Sequence, residues 1–178
     1  MYKSNYKMIF LIGMMGSGKT SVGLNLSRML GFKHIDTDDM ISIPNIITSE
    51  NEKIFREKEY KTLINISSIS DSKSYIISTG GGIVLNPKCR AILQRYYNIY
   101  LKVPINTLKK RIVQQNIMRP ILNNTNGNFD YSQFQLLMRK REKFYDCIAN
   151  QTIDTTTLNV NDSAKKLKKI LLKNEIIS

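Results

Sequence analysis

The chain has 178 residues and a hydrophobic fraction of 42%, which predicts one domain with a sizeable core. No run reaches the roughly 18 apolar residues of a membrane span, and residues 1–7 lead into a short strand without a signal peptide's apolar stretch, so a cytoplasmic protein with no membrane partner is expected. The net charge of +13 would suit a nucleic-acid or phosphate partner. The lysines are scattered, however. Lys165, Lys166, Lys168, Lys169 and Lys173 interleave with Ala164, Leu167, Ile170 and Leu171 at helical spacing, a solvated helix face without an aromatic platform, and no nucleic-acid partner is expected. Cys89 and Cys147 form no C-x-x-C pair and read as buried or partly buried thiols of a reducing compartment. His34 is the only histidine, so it predicts a structural role rather than a metal ligand.

Met8–Ile12 is a short apolar run that suits a buried strand. Gly13-Met14-Met15-Gly16-Ser17-Gly18-Lys19-Thr20 follows it, the full G-x-x-x-x-G-K-[ST] phosphate loop. Beyond it, Val22, Leu26, Met29 and Leu30 fall at helical spacing, so the motif has the strand-loop-helix context that its chemistry requires. Glycines let successive backbone N–H groups point inward, and the helix start adds its positive dipole end. The candidate nucleotide contacts are Gly13, Gly16, Ser17, Gly18, Lys19, Thr20 and Ser21. Lys19 would reach the β- and γ-phosphates, and Thr20 would hold Mg²⁺ through its hydroxyl.

Phe32–Ile35 predicts the second strand, and Asp36-Thr37-Asp38 follows at its carboxyl end, where α/β folds bind ligands. The two carboxylates could face one crevice, one supporting Mg²⁺ and the other orienting an attacking hydroxyl. The competing reading is a cap for a helix beginning at Asp39-Met40-Ile41. Residues 42–49, with Pro44, break the periodic pattern, and a helix is expected over 50–66. The strand Tyr75–Ile77 leads into Thr79-Gly80-Gly81-Gly82, where successive glycines allow a ligand close to the backbone or simply make a permissive turn. Helices near 88–96 and 105–115 flank the strand Ile99–Val103. Residues 118–129 are too polar to pack and too rich in Asn and Gly for a helix. A loop of that length with Arg119-Pro120 at its mouth suits a lid. Helices at 131–149 and 162–173 bracket a weaker strand, Gln151–Asp154. Strands alternating with helices predict an α/β fold, three layers α/β/α around a central parallel five-stranded sheet. Arg56, Arg111, Arg119 and Arg141 are cations that could meet phosphate or an acidic acceptor; Arg139 and Lys140 show that neighbours compete for the role.

Together the phosphate loop, Asp36-x-Asp38, Phe55-Arg56-x-x-Glu59, Gly80-Gly81-Gly82, Arg119-Pro120-Ile121-Leu122 and Arg141 ahead of Tyr145 resemble the shikimate kinase family, in the same order and over residues 7 to 172. The resemblance implies a P-loop, nucleoside-monophosphate-kinase-like fold in one domain, with a small substrate-binding segment at about 37–64 and a lid at about 116–130. It implies ATP-dependent phosphorylation of the 3-hydroxyl of shikimate, a step of aromatic amino-acid biosynthesis, with ATP and Mg²⁺. In that family's pattern Asp38, Arg56, Gly81 and Arg141 bind shikimate, with Gly80 and Gly82 beside Gly81 and with Glu59 holding Arg56. Asp36 and Thr20 serve the metal, Lys19, Asp38 and Arg119 serve the transfer, and Arg111 lies against the adenine opposite residues 154–158. A monomer is expected.

Three departures from the pattern stand out. The interval from Asp38 to Arg56 is short, Lys143 stands where proline is frequent, and Asn51-Glu52 replaces Gly-Glu. The alternatives are a gluconate-type or nucleoside monophosphate kinase, which would not need Arg56 and Arg141 aimed at one carboxylate, and a non-catalytic ATP-binding protein.

Overall fold

The structure is a computed structural model and describes residues 6–41, 51–114, 122 and 129–178. Five strands, β1 (Met8–Ile12), β2 (Lys33–Asp36), β3 (Tyr75–Ser78), β4 (Tyr97–Lys102) and β5 (Gln151–Asp154), form one sheet in the order β2-β3-β1-β4-β5. Every pairing is parallel. The helices are α1 (Lys19–Leu30), α2 (Glu52–Ser67), α3 (Pro87–Leu93), α4 (Ile105–Gln114), α5 (Tyr131–Ile148) and α6 (Val160–Lys173), with a 3-10 turn at Ile83–Leu85.

Period-2 alternation sorts the central strand's side chains between two cores. Met8, Phe10 and Ile12 of β1 pack with Leu63 of α2, Leu93 of α3 and Phe134 of α5. Ile9 and Leu11 face the other way, onto Leu26 of α1 and Leu167 of α6. Helices cover both faces, so the layering is α/β/α. No helix among the described residues is long and apolar enough to cross a membrane.

Local chemistry sets the helix boundaries. Asn86 accepts from the Lys88 N–H ahead of Pro87 at the first position of α3. Asp130 caps α5 through Gln133 N–H at 2.9 Å, and Asn159 caps α6 through Asp162 N–H at 2.8 Å. Left-handed Gly31 closes α1, and the Phe32 N–H then bonds Ser27 O at 2.9 Å, which draws Phe32 into the turn and starts β2 one residue later than its apolar run suggests. β4 begins at Tyr97, earlier than expected, because Asn98 is tolerated inside a strand. Its buried amide donates to Leu93 O at 2.7 Å and Tyr96 O at 2.9 Å.

Residues 39–41 do not open a helix; they close a turn, with Met40 N–H on Thr37 O and Ile41 N–H on Asp38 O. Cys147 is exposed, whereas Cys89 is buried, where burial pushes its thiol up to about 12. Among the expected features, the break at 42–49, Arg119-Pro120-Ile121 and most of the 118–129 loop lie outside the described residues.

The topology decides where a ligand can sit. From β1 the chain moves to the edge strand β2, and from β3 it crosses to β4 on the other side of β1. The carboxyl ends of β1 and β3, adjacent in the sheet, therefore open onto the switch-point crevice of a doubly wound fold. The phosphate loop leaves β1 there, and the glycine triplet leaves β3 beside it.

Candidate active site

The loop between β1 and α1 is shaped by backbone that side chains would strain. Gly16 has φ +80° and Gly18, which precedes α1, has φ +90°. Both lie in the left-handed region and turn the N–H groups of residues 16–20 around the helix start. Lys19 is buried and donates from Nζ to Gly13 O at 2.9 Å and Met14 O at 3.0 Å. These bonds hold the ammonium over the loop. The hydroxyl of Ser78, at the end of β3, donates to Lys19 O at 2.9 Å and pairs with His34 Nε2 at 3.0 Å, so the histidine is structural, as its solitude in the sequence suggests. Ser17 is buried with a hydroxyl that has no partner among the described residues, and Ser21 is exposed on the first turn of α1.

At the mouth of the loop, Thr20 Oγ1 donates to Asp36 Oδ2 at 2.6 Å, and Asp36 Oδ1 accepts the Asp38 N–H at 3.0 Å. A hydroxyl and a carboxylate are hard oxygen donors suited to Mg²⁺. No group of three or more His, Cys, Asp or Glu among the described residues could hold a metal alone. A magnesium ion at this pair would be completed by nucleotide phosphates and water.

The glycine triplet is the point where the remaining groups converge. A Cβ added at Gly80 would fall 2.5 Å from Asp38 Oδ1 and 3.1 Å from Glu59 Oε1. At Gly81 it would stand 3.3 Å from Gly13 O and 3.5 Å from Arg141 Nη1, and at Gly82 it would run into the Arg56 guanidinium, with Cζ at 2.7 Å. None of the three has a positive φ; side chains crowd the space at Gly80 and Gly82, and the approach at Gly81 is milder. Thr37, buried between the two aspartates, fixes the turn by accepting the Gly80 N–H on Oγ1 at 2.9 Å.

Two guanidiniums border the triplet in different electrostatic states. Arg56 Nη1 donates to Glu59 Oε2 at 2.6 Å and its Nη2 to Glu52 Oε1 at 3.1 Å. Burial opposes the Arg56 charge, but the two glutamates outweigh it and raise its pKa. Glu59 itself is 2% exposed. Burial raises its carboxyl above the usual range against the pull of Arg56, and its Oε1 has no partner among the described residues. Arg141, on the inward face of α5, is also 2% exposed. It makes no ion pair within the described residues; Nη1 reaches Met14 Sδ at 3.7 Å, and Nε is unpartnered. Burial lowers its pKa. A buried cation without a carboxylate is costly unless an anion arrives.

On the far side of the loop, Arg111 Nη2 donates to Thr155 O at 2.8 Å and Thr156 O at 3.2 Å, which joins α4 to the segment after β5. The structure thus gathers Asp36, Asp38, Arg56, Glu59, Gly80, Gly81, Gly82 and Arg141 beside the phosphate loop and sets Arg111 against residues 155 and 156. Arg119 lies outside the described residues. Sequence reasoning passed over Met14, Thr37 and Ser78. Met14 occupies a variable position of the loop motif, and the two hydroxyls act on backbone, so no residue pattern marks them.

A sequence profile described as shikimate kinase matches residues 15–172. The chain is 38% identical to a shikimate kinase of Microcystis aeruginosa over 143 residues, 77% of this chain and 72% of that one. It is 34% identical to a shikimate kinase of Clostridium botulinum over 170 residues, 91% of this chain and 98% of that one. The fold superposes on shikimate kinase from Acinetobacter baumannii, solved in complex with shikimate, with a TM-score of 0.83 at 30% identity and 97% of each chain covered. Thymidylate kinase from Candida albicans shares the fold at a TM-score of 0.62 and 14% identity. The chain belongs to the shikimate kinase family.

Proposed function

We propose that this protein transfers the γ-phosphoryl group of ATP to the 3-hydroxyl of shikimate. The observation that carries the reading is the buried Arg141 guanidinium, without an ion pair among the described residues, facing Arg56 across the glycine triplet beside a complete phosphate loop. Two cations around one small crevice suit the carboxylate of an acidic polyol, and exposed glycine backbone suits its hydroxyls.

In this reading the loop N–H groups and Lys19 hold the β- and γ-phosphates, moving the ammonium from the carbonyls of Gly13 and Met14 onto phosphate oxygen. Thr20 and Asp36 would hold Mg²⁺, which would neutralise phosphate charge. Arg56 and Arg141 bind the acceptor carboxylate. Asp38 accepts the hydrogen bond of the attacking hydroxyl, aims its oxygen at the γ-phosphorus and takes its proton as the new O–P bond forms and the bond to the β,γ-bridging oxygen breaks. Arg119, from the lid, adds positive charge over the transferred group. Arg111 and residues 155–156 border the adenine. All these groups come from one chain, so a monomer suffices, and the ATP requirement suits the cytoplasm.

The test is ADP release measured across a panel containing shikimate, gluconate and nucleoside monophosphates. Turnover of shikimate above the others is expected. Turnover of gluconate or a nucleotide, with shikimate inert, would overturn the reading.

A further inference from the structure

The glycine triplet does not hold its own place. It lies between β3 and the 3-10 turn, and two side chains fasten it to its surroundings from opposite ends. At the first end, the Tyr145 hydroxyl of α5 donates to Gly81 O at 2.5 Å. Tyr145 is wholly buried, its ring lies 5.1 Å from that of Tyr100 of β4, and burial pushes its phenol up to about 12, so it remains a donor across the working pH range. At the second end, Arg90 of α3 donates from Nη1 to Val84 O at 2.7 Å and Leu85 O at 3.1 Å. The same guanidinium lies over the Phe144 ring at 4.1 Å, and Phe144 is the residue before Tyr145.

We infer that Tyr145 and Arg90 are positioning residues that clamp the turn 80–85 onto α5, so that the Gly81 backbone and the Arg141 guanidinium meet the acceptor as one preformed surface. Neither residue needs to touch the substrate. Tyr145 stands one helical turn beyond Arg141, so a single helix face fixes both the cation and the backbone opposite it. Without the hydroxyl, the Gly81 carbonyl loses its donor and the flanking glycines, with no side chains to resist, let the peptide rotate. Without Arg90, the 3-10 turn loses the cation on its terminal carbonyls and its contact with Phe144.

The inference rests on the acceptor reading above, and the experiment separates the two. Steady-state kinetics would compare wild type, Tyr145→Phe, Arg90→Lys, Arg90→Ala and Lys102→Ala, using whichever acceptor the wild type turns over. Lys102 anchors α5 to β4 through Glu142 at 3.3 Å and Asp146 at 3.4 Å, bonds no described residue of the turn 80–85, and serves as the control for a loosened helix. Acceptor KM should rise about tenfold in Tyr145→Phe, by about the same in Arg90→Ala and by less in Arg90→Lys, while ATP KM stays within about twofold. Lys102→Ala should leave both constants near wild type. Amide exchange over residues 80–86 should quicken in Tyr145→Phe and Arg90→Ala and not in Lys102→Ala, a readout that needs no turnover. Unchanged acceptor KM and exchange in the clamp variants would overturn the inference, as would equal effects on both KM values or the same effects from Lys102→Ala. A wild type inert toward shikimate would instead count against the proposed function alone.

Discussion

From Met8 to Leu30 the phosphate-holding part of the proposed donor half is one uninterrupted piece of chain, and in that reading the groups that would meet phosphate are mostly backbone N–H groups. The proposed acceptor half takes Asp38 from the turn after β2, Arg56 and Glu59 from α2, the glycine triplet after β3, and Arg141 from α5. One half is local and built of peptide dipoles; the other is assembled over a hundred residues of sequence and built of buried charge. Peptide dipoles are oriented by φ and ψ and remain in place without a ligand. Buried charges must find partners, and among the described residues one guanidinium of this half has an ion pair and the other has none.

The largest effect expected falls on the donor half, where one side chain does work that the backbone cannot. Lys19→Ala should lower kcat by about a thousandfold, because an ammonium on the transferred phosphoryl group stabilises charge that grows in the transition state. Single-turnover measurement at saturating ATP checks this, and loss in KM alone would contradict it.

The acceptor half should break by crowding as readily as by deletion. Gly82→Ala places a methyl group on the Arg56 guanidinium, which must swing away and leave Glu59 without its ion pair. A loss of about a hundredfold in kcat/KM for the acceptor is expected, in the range of a lost charge-assisted contact, with ATP KM nearly unchanged. Equal losses for both substrates would show that the two halves are less separate than their construction suggests.

Arg141→Met sharpens the contrast between binding and stability. Acceptor KM should rise about thirtyfold as the carboxylate loses one cation. The same variant should melt a few degrees higher, about 2–4 °C per kcal/mol for a chain of this size, because a buried charge lacking an ion pair among the described residues is replaced by an apolar chain of similar volume. Thermal melting with and without acceptor measures both. A lower melting temperature would mean that the guanidinium stabilises the unliganded fold.

These differences also explain what could be read before any coordinates. The donor half was legible because strand, glycine loop and helix are contiguous and each residue type has a local reason. β1 and β5 fell where their apolar runs placed them, and α5 ended one residue short of its periodic pattern. The acceptor half was legible only through a family's joint pattern, since Arg139, Lys140 and Arg141 are equivalent in composition and only the last lies on the buried face of α5. The strand expected from Ile99 begins two residues earlier because the Asn98 amide satisfies carbonyls at the strand's entry, a tertiary arrangement that no local pattern shows. Met14 and the Tyr145 hydroxyl were given no role because their partners, a guanidinium and a glycine carbonyl, are distant in sequence.

The smallest effect expected tests whether pairing or burial governs the Glu59 carboxyl. Oε2 is bonded to Arg56, which favours the charged form, while burial and Asp38 favour the neutral form. Burial is the strongest of these, and the folded-state pKa lies above the ordinary 4.5. A carboxyl raised in this way holds its proton in the folded chain after the unfolded chain has released it. Its contribution to stability is therefore full below 4.5 and is lost as pH rises through the folded value. Glu59→Gln removes this titration and leaves the other carboxylates in place, so the stability of wild type minus that of the variant should fall as pH rises above 4.5 and then level off. Urea unfolding at a series of pH values measures that difference directly. A difference that rises with pH would mean that the ion pair with Arg56 outweighs burial, and the acceptor half would then hold two satisfied charges in place of one satisfied and one strained.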